Sequence, residues 1–434
     1  GQGFVDARQV RRAQLGLQTY HQTRQAYLDR IMTFNGAADQ GKNIGAQIGG
    51  LYQRFIELSA SPDSTTSQQN LLTQAANVAK GFNDFSKLLN DLRNETQSTI
   101  ATEVKNLNES LKQIAEYNKR ISTLLHVGQS TATLEDQRDT LIKNVAAQLE
   151  VTHYTNSDGV VVLQTKSGEV LADTAAHSFV FDNDPITQAS TYPTTLNGLI
   201  LKGAGDGSDI DLADNPIGGK LGALLALRDK DLPNYNAQLD ELAHKLATRF
   251  DDQNLRLFTD NTGVVPANSP TAYNGFASLI RVNTDIVANS SLLQQGTSGP
   301  AVNAGSNAVI MRVVDYTFGR YKDSANTPNV AFNTSSVGYE QDITYSIIGD
   351  PQATLEQFAR AMLDGQANDY SIAKSSAENE TQYMQEVQKR LLDSSAVDTD
   401  YEMGKMIELQ KNYGASAKMI RALDDLFREL LNAL

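Results

Sequence analysis

Acidic side chains grouped at two places in the chain are the residues best suited to chemistry. Glu135, Asp136 and Asp139 lie beside Arg138 and Lys143 in the segment LEDQRDTLIKNVAAQLEV. A close pair of carboxyl groups can work as a general acid and a general base. The segment itself contains no histidine, and acidic residues at a helix start are stabilised by the helix dipole and by nearby cations. We therefore interpret this group as structural.

A second acidic group lies in the glycine-rich segment GAGDGSDIDLAD. Asp206, Asp209 and Asp211 could hold a divalent cation through their oxygen atoms. An EF-hand loop also needs ligands at fixed alternate positions, a central glycine and a glutamate at its twelfth position, and this register is missing. We favour a solvated acidic turn, and a metal-dependent enzyme on a helical stalk is the less favoured alternative.

The composition argues against most other catalytic and binding classes. The 434 residues include no cysteine, which excludes disulfides, thiolate nucleophiles and thiolate-bound metals. The five histidines form no HExxH or other two-histidine ligand spacing. A formal net charge of −14 argues against nucleic-acid binding, and no apolar run is long enough for a membrane-spanning helix. We therefore expect no enzyme activity, no catalytic residues, no cofactor and no metal.

The first 150 residues are predicted to be helical almost throughout. A strand-like start over GQGFVDA comes first, and apolar residues then recur at helical spacing. Between Ala75 and Leu92 they step alternately by three and four, and the pattern resumes out of phase from Val104 to Leu125. This offset predicts a break or local unwinding in a helix of about 50 residues, about 75 Å long.

The middle of the chain has a different period. After Val151, apolar and polar residues alternate and are interrupted by tight-turn sequences, which predicts β-hairpins. A helix is predicted from about Lys220 to Arg256, with a kink or break near Leu232 because Pro233 lies inside it. The following region is mixed, and FASLIRV within it is predicted to be a strand.

The C-terminal helix carries the clearest pattern in the sequence. Large apolar residues occupy the a and d positions of four heptads, so this helix is expected to pack on a partner. The predicted interface residues are Met406, Leu409, Tyr413, Ile420, Leu423, Phe427, Leu430 and Leu434.

The predicted fold is α+β, a long discontinuous helical bundle with a β-rich insert and a C-terminal coiled-coil-type helix. The predicted segments are the first part of the bundle (1–150), the β-rich insert (151–213), the middle of the bundle (214–262), a mixed outer region (263–350), the last part of the bundle (351–394) and the heptad helix (395–434).

Five segments, in order along the chain, resemble the hook-associated protein 1 (FlgK) family of flagellar axial proteins. They are GQGFVDARQVRR, FIELSASPDSTTSQQNLLTQAANVAKGFN, LEDQRDTLIKNVAAQLEV, GGKLGALLALRDKDLPNYNAQLDELAHKLATRFDDQN and SSAVDTDYEMGKMIELQKNYGASAKMIRALDDLFRELL. The LEDQRD and GGKLGALLALRD blocks are the most specific, whereas the last segment is shared with hook and rod proteins in general.

The resemblance implies a flagellin-like core and a structural subunit that joins the flagellar hook to the filament. It also implies that the family's N-terminal helical segment is missing here. The subunit would be secreted through the type III export channel without a cleaved signal peptide. Its partners would be neighbouring copies in a tubular assembly, the hook protein, the next hook-associated protein and a cytoplasmic chaperone on the heptad helix. The alternative within this class is a flagellin-like or second hook-associated protein.

Overall fold

The computed structural model describes residues 2–36, 43–204, 207–213, 217–300, 302–333, 348–395, 403, 405–411 and 418–419. The chain divides into two compact units. The terminal unit consists of Gly1–Arg11 with Gln382–Leu434, and the larger unit is Arg12–Thr381. Among the helices in the described ranges, none has the length and apolar character needed to cross a lipid bilayer.

Helices account for most of the described residues. The helices are α1 (Gln2–Asn35), α2 (Ile44–Ala60), α3 (Thr65–His126), α4 (Ala132–Gln148), α5 (Gly219–Ala226), α6 (Leu232–Asp251), α7 (Pro270–Tyr273), α8 (Phe276–Leu279), α9 (Thr284–Ala288), α10 (Leu292–Gln295), α11 (Ala308–Arg312) and α12 (Leu355–Ser395). Two π-helical turns follow α5 and α11, at Leu227–Asp231 and Val313–Thr317.

The strands form small antiparallel sheets. They are β1 (Val151–Thr155), β2 (Val161–Thr165), β3 (Val170–Ala172), β4 (Phe179–Val180), β5 (Ile200–Ala204), β6 (Ser208–Asp211), β7 (Phe258–Thr259) and β8 (Arg281–Val282). The sheet orders are β1-β2-β3, β4-β5-β6 and β7-β8. The predicted hairpins after Val151 and the predicted α+β class are therefore confirmed, with long helices and small sheets.

The long helix α3 forms the centre of the bundle. Ser64 caps its start by accepting a hydrogen bond from the Ser67 amide, and α3 packs against α2, α4 and α6. The predicted break is wrong, because α3 continues without interruption for 62 residues, about 93 Å. Buried polar residues, including Arg93, Thr96 and Gln97, occupy the place where the apolar pattern changes phase.

One predicted strand is helical, and a second is helical in its first half only. Residues from Gln2 onward belong to α1, where each added residue extends an existing helix by one hydrogen bond. FASLIRV forms the short helix α8 followed by the two-residue strand β8. The helical turn starts here because Gly275 has a positive φ of 83° and the Asp240 carboxylate accepts a hydrogen bond from the Ala277 amide.

The predicted interruption near Leu232 is present as the π-helical turn between α5 and α6. The Leu232 amide donates to the Leu227 carbonyl, five residues earlier, and Pro233 follows in the first turn of α6. Proline has no amide hydrogen to donate, so the regular hydrogen-bond pattern of a helix cannot continue through this residue, which accounts for the irregular turn just before it. Within this turn Arg228 is buried, Asp229 and Asp231 are partly buried, and Lys230 is exposed.

Candidate assembly site

The predicted C-terminal interface is only partly within the described residues. Met406 and Leu409 lie in a helical stretch, and 59% and 65% of their surfaces are exposed. Met403, Ile407 and Met419 are also exposed. The remaining predicted interface residues, Tyr413, Ile420, Leu423, Phe427, Leu430 and Leu434, lie outside the described residues. Grouped large apolar side chains at a surface are typical of an interaction site.

Within the larger unit, α1 and α12 run antiparallel and are joined by polar side chains. Gln14 donates to the Glu380 carboxylate, and Gln18 Nε2 donates to Thr381 Oγ1 at 3.0 Å. Farther along the pair, Asn35 Nδ2 donates to Gln366 Oε1 at 2.8 Å. The two ends of the larger unit, at residues 12 and 381, therefore lie on the same side of the bundle.

The end of the π-helical turn and the start of α6 connect these two helices to the bundle. Nε and Nη2 of Arg24 lie 3.1 and 2.9 Å from Asp231 Oδ2, and the Tyr235 hydroxyl donates to Asp369 Oδ2 at 2.6 Å. Burial raises the pKa of Asp231, and the attraction of Arg24 opposes that rise. One turn of helix thus holds α1 and α12 through charged and polar groups.

Two buried arginines hold the β-rich segment on α3. Arg93 of α3 donates to the carbonyls of Arg228 and Ser190, at 2.8 and 2.5 Å. Arg228 is fully buried, lies 2.6 Å from an Asp229 carboxylate oxygen and donates to Gln97 Oε1 at 3.0 Å. Burial lowers the pKa of Arg93 to about 10, so the side chain stays charged at neutral pH.

The LEDQRD block has a structural role, but its contacts are long-range. Arg138 Nη1 donates to Asn118 Oδ1 of α3 at 2.9 Å and to the Gly159 carbonyl of the β1–β2 turn at 2.7 Å. Asp139 pairs with Arg12 of α1 at 3.0 Å. The sequence interpretation placed the ion pairs within the block. Arg138 does feel the charges of Asp139 and Glu135, but the direct ion pair of Asp139 and the hydrogen bonds of Arg138 reach other elements.

The start of the GGKLGALLALRD block needs glycine for steric reasons. Gly219 has a φ of 61°, and a β-carbon there would overlap the backbone of Gln148 at the end of α4. Lys220, the next residue, pairs with Glu103 of α3 at 2.6 Å. The block therefore joins α5 to both α3 and α4.

Replacing Gly219 with alanine should lower the free energy of unfolding by roughly 1–3 kcal/mol, because it adds backbone strain and a steric overlap. Urea unfolding followed by circular dichroism measures the change. Gly49→Ala in α2 is the control, since its β-carbon would meet open space and it should stabilise the helix by about 0.5–1 kcal/mol. Equal effects of the two substitutions would contradict this account.

A polar face of α6 holds the outer region at residues 266–277. His244 Nε2 lies 2.9 Å from the Pro266 carbonyl, and its ring stacks on Tyr273 with ring centres 4.3 Å apart. Asp240 accepts hydrogen bonds from the amides of Gly275 and Ala277 at 2.7 and 2.8 Å. Burial nevertheless raises the pKa of Asp240 to about 7 and lowers that of His244 to about 4.

The neutral His244 should make stability depend on pH. Its pKa is lower in the folded than in the unfolded chain, so its contribution is complete above about pH 6.5 and is lost as the pH falls toward 4. Between pH 7 and 4.5 the wild-type chain should lose roughly 2–3 kcal/mol more unfolding free energy than His244→Gln. Urea unfolding at both pH values tests this, and identical losses would show that His244 is not responsible.

The second acidic group also makes structural contacts. Asp209 pairs with Lys202 at 2.6 Å, and Asp211 accepts hydrogen bonds from the Tyr192 hydroxyl and the Ala213 amide. Asp206 lies outside the described residues. In the part of the chain that the structure describes, no group of three or more histidine, aspartate or glutamate residues is placed to hold a metal ion.

The sequence interpretation missed the buried charges that connect these elements. Arg93, Arg228 and Arg249 are among the largest fully buried side chains, and Arg249 Nη2 donates to the Ala353 carbonyl at 3.0 Å. The available signal was a charged residue at a helical position that the apolar periodicity places in the core. Arg93, four residues after Leu89 of the α3 pattern, is the clearest case.

Comparison with known proteins gives two family matches. Residues 33–263 match the helical domain of the flagellar hook-associated protein FlgK. Residues 388–433 match the C-terminal region of the flagellar basal body rod FlgEFG proteins. The two matched regions contain the LEDQRD and GGKLGALLALRD blocks and most of the heptad helix.

Individual relatives cover most of the chain. Flagellar hook-associated protein 1 of Salmonella typhimurium is 22% identical over 476 residues, covering 92% of this chain and 82% of the relative. The Bacillus subtilis protein of the same name is 22% identical over 449 residues, covering 96% and 81%. Among solved structures, the flagellar hook junction protein FlgK from Burkholderia pseudomallei matches with a TM-score of 0.49 and 22% identity, over 59% of this chain and 45% of that chain.

Proposed function

Because the chain belongs to the FlgK family of flagellar hook-associated proteins, we propose that its C-terminal heptad helix forms the contacts that assemble the hook–filament junction. The protein is a structural subunit of the bacterial flagellum at this junction, and it belongs to the extracellular part of that organelle. The heptad helix is the proposed assembly element, with Met406, Leu409, Tyr413, Ile420, Leu423, Phe427, Leu430 and Leu434 in its seam.

Two observations support this role for the heptad helix. Met406 and Leu409 have more than half of their surfaces exposed, although large apolar side chains favour burial. The same region matches the C-terminal family of flagellar rod proteins. Because several axial subunits share this pattern, it favours an assembly contact that they have in common over a contact specific to one protein. Neighbouring copies, the hook protein and the next hook-associated protein are the proposed partners.

The exposed Met406 and Leu409 side chains also support the proposal of a chaperone before assembly. An uncovered apolar helix exposes the chain to aggregation, so a cytoplasmic protein that covers the seam would keep it soluble. We further propose export through the type III channel without a cleaved signal peptide. The six-segment division remains a prediction, with residues 395–434 as the segment that carries the seam.

We propose a structural rather than a catalytic role for the acidic groups. Asp139, Asp209 and Asp211 are engaged by Arg12, Lys202 and Tyr192, which positions backbone segments. The alternative of a flagellin-like or second hook-associated protein is disfavoured because the FlgK helical-domain family matches the region that contains both specific blocks.

A gene deletion with complementation tests the proposed function. A strain without this protein should build hooks but release filament subunits into the medium, and the wild-type gene should restore attached filaments. Electron microscopy counts the attached filaments, and immunoblotting of the medium measures released subunits. Normal filaments in the deletion strain would contradict the proposal.

A further inference from the structure

The helices α1 and α12 are anchored to the larger unit mainly at one end of their antiparallel pair. At that end, large apolar side chains from both helices enter the common core. They are Tyr27, Leu28 and Ile31 of α1 and Leu355, Phe358 and Met362 of α12. Burial of large apolar side chains stabilises a helix more than single hydrogen bonds do, so this end is strongly held.

The opposite halves of the two helices contribute little to the core. Of the residues 12–24 whose side chains the structure describes, only Gly16 is buried. In residues 367–381 of α12, the buried positions are Ala373 and Ala377, which carry small side chains, and Tyr370 packs only partly buried against the core. The apolar area that holds this half of the pair is correspondingly small.

Polar contacts hold these halves in place instead. Thr19 Oγ1 donates to the Ala147 carbonyl of α4 at 2.8 Å, and the Tyr235 hydroxyl of α6 donates to Asp369 of α12 at 2.6 Å. The Gln14 and Gln18 contacts join the two halves to each other. The Arg24–Asp231 pair is the most shielded ion pair of the set, with 18% and 19% of the side chains exposed. A partly buried pair of this kind is weakly screened and costly to break on one side.

We propose that residues 12–24 of α1 and 367–381 of α12 form an opening segment, which detaches locally while the anchored ends stay packed. The Arg24–Asp231 pair acts as its latch. Regions with few buried apolar contacts open at lower free energy than the core. When this segment opens, α1 and α12 would each bend at the point where the opening segment meets the anchored end. The rest of the bundle would stay folded.

Hydrogen exchange of the full chain tests this proposal directly. Amides in both stretches are hydrogen-bonded within helices, so their exchange reports opening. In the wild-type protein, amides of residues 12–24 and 367–381 should exchange together, at least tenfold faster than those of residues 27–34 and 355–362. Arg24→Gln should accelerate the opening segment at least fivefold further and leave the anchored ends unchanged.

Arg30→Gln is the matched control, because the Arg30–Glu95 pair is nearly half exposed and should not affect the segment. If Arg24→Gln does not fold, Tyr235→Phe, which removes the hydrogen bond from α6 to Asp369 of α12, should produce a smaller acceleration in the same peptides. Equal protection of both halves in the wild-type protein, or a uniform acceleration of the whole chain by Arg24→Gln, would overturn the proposal. The isolated chain suffices, so the result is independent of assembly.

Discussion

Replacing Arg228 with methionine is expected to lower the free energy of unfolding by about 3–5 kcal/mol. Arg228 is fully buried, and its partner Asp229 is only 9% exposed, so the substitution leaves a carboxylate in the core without its cation. The hydrogen bond to Gln97 and the packing of the guanidinium over Phe181, 5.3 Å from the ring centre, are lost as well. Urea unfolding of the purified chain measures the effect.

An exposed arginine of the same bundle provides the control for Arg228. Arg54 pairs with Glu57 at 2.7 Å, but about half of each side chain is in solvent, so Arg54→Met should cost less than about 1 kcal/mol. The double variant Arg228→Met/Asp229→Asn should be more stable than Arg228→Met alone, because the desolvated Asp229 carboxylate is removed together with its main partner. Similar losses for Arg228→Met and Arg54→Met would show that the buried cluster does not stabilise the fold.

Replacing both Met406 and Leu409 with aspartate is expected to abolish junction assembly while leaving the bundle folded. Burying a large apolar side chain at an interface contributes about 1.5–3 kcal/mol, so the loss of two should weaken the contact on the order of a hundredfold or more. Both side chains are already exposed in the chain, so unfolding of the larger unit should be unchanged. The measurement is the number of attached filaments in a deletion strain that carries the variant.

Ile407 provides a matched control within the same helical turn. It is also apolar and 51% exposed, but it lies outside the a and d positions of the heptads. Ile407→Asp should therefore retain most attached filaments. Normal assembly by the Met406/Leu409 double variant, or an equal loss with Ile407→Asp, would contradict the heptad seam as the assembly contact.

The regular parts of this fold could be predicted from the sequence because they depend on local periodicity. The hairpins after Val151, the interruption next to Pro233 and the α+β class follow from residue patterns of a few turns. The continuity of α3 could not be predicted in the same way. Its change of phase is bridged by Arg93 and Gln97, whose partners are carbonyls about 90 residues away in the chain.

The candidate site likewise combines a feature that the local sequence predicts with contacts between residues that are distant in the chain. The heptad seam is visible because each of its positions repeats every seven residues. The roles of Arg24, Arg138 and Gly219 depend on Asp231, Asn118 and Gln148, which the fold brings close from distant positions. Buried charges that hold separate elements together cannot be recognised from the spacing of apolar residues, because their partners are distant in the chain.

Labelling the protein on intact flagella tests the central claim most directly. Gold-conjugated antibodies against this chain, viewed by electron microscopy, locate it along the hook and filament. A structural subunit of the hook–filament junction predicts a single narrow band of label between the hook and the first filament subunits. Label along the whole filament or only at its tip would instead indicate a flagellin-like or second hook-associated protein, and unlabelled flagella would contradict the account.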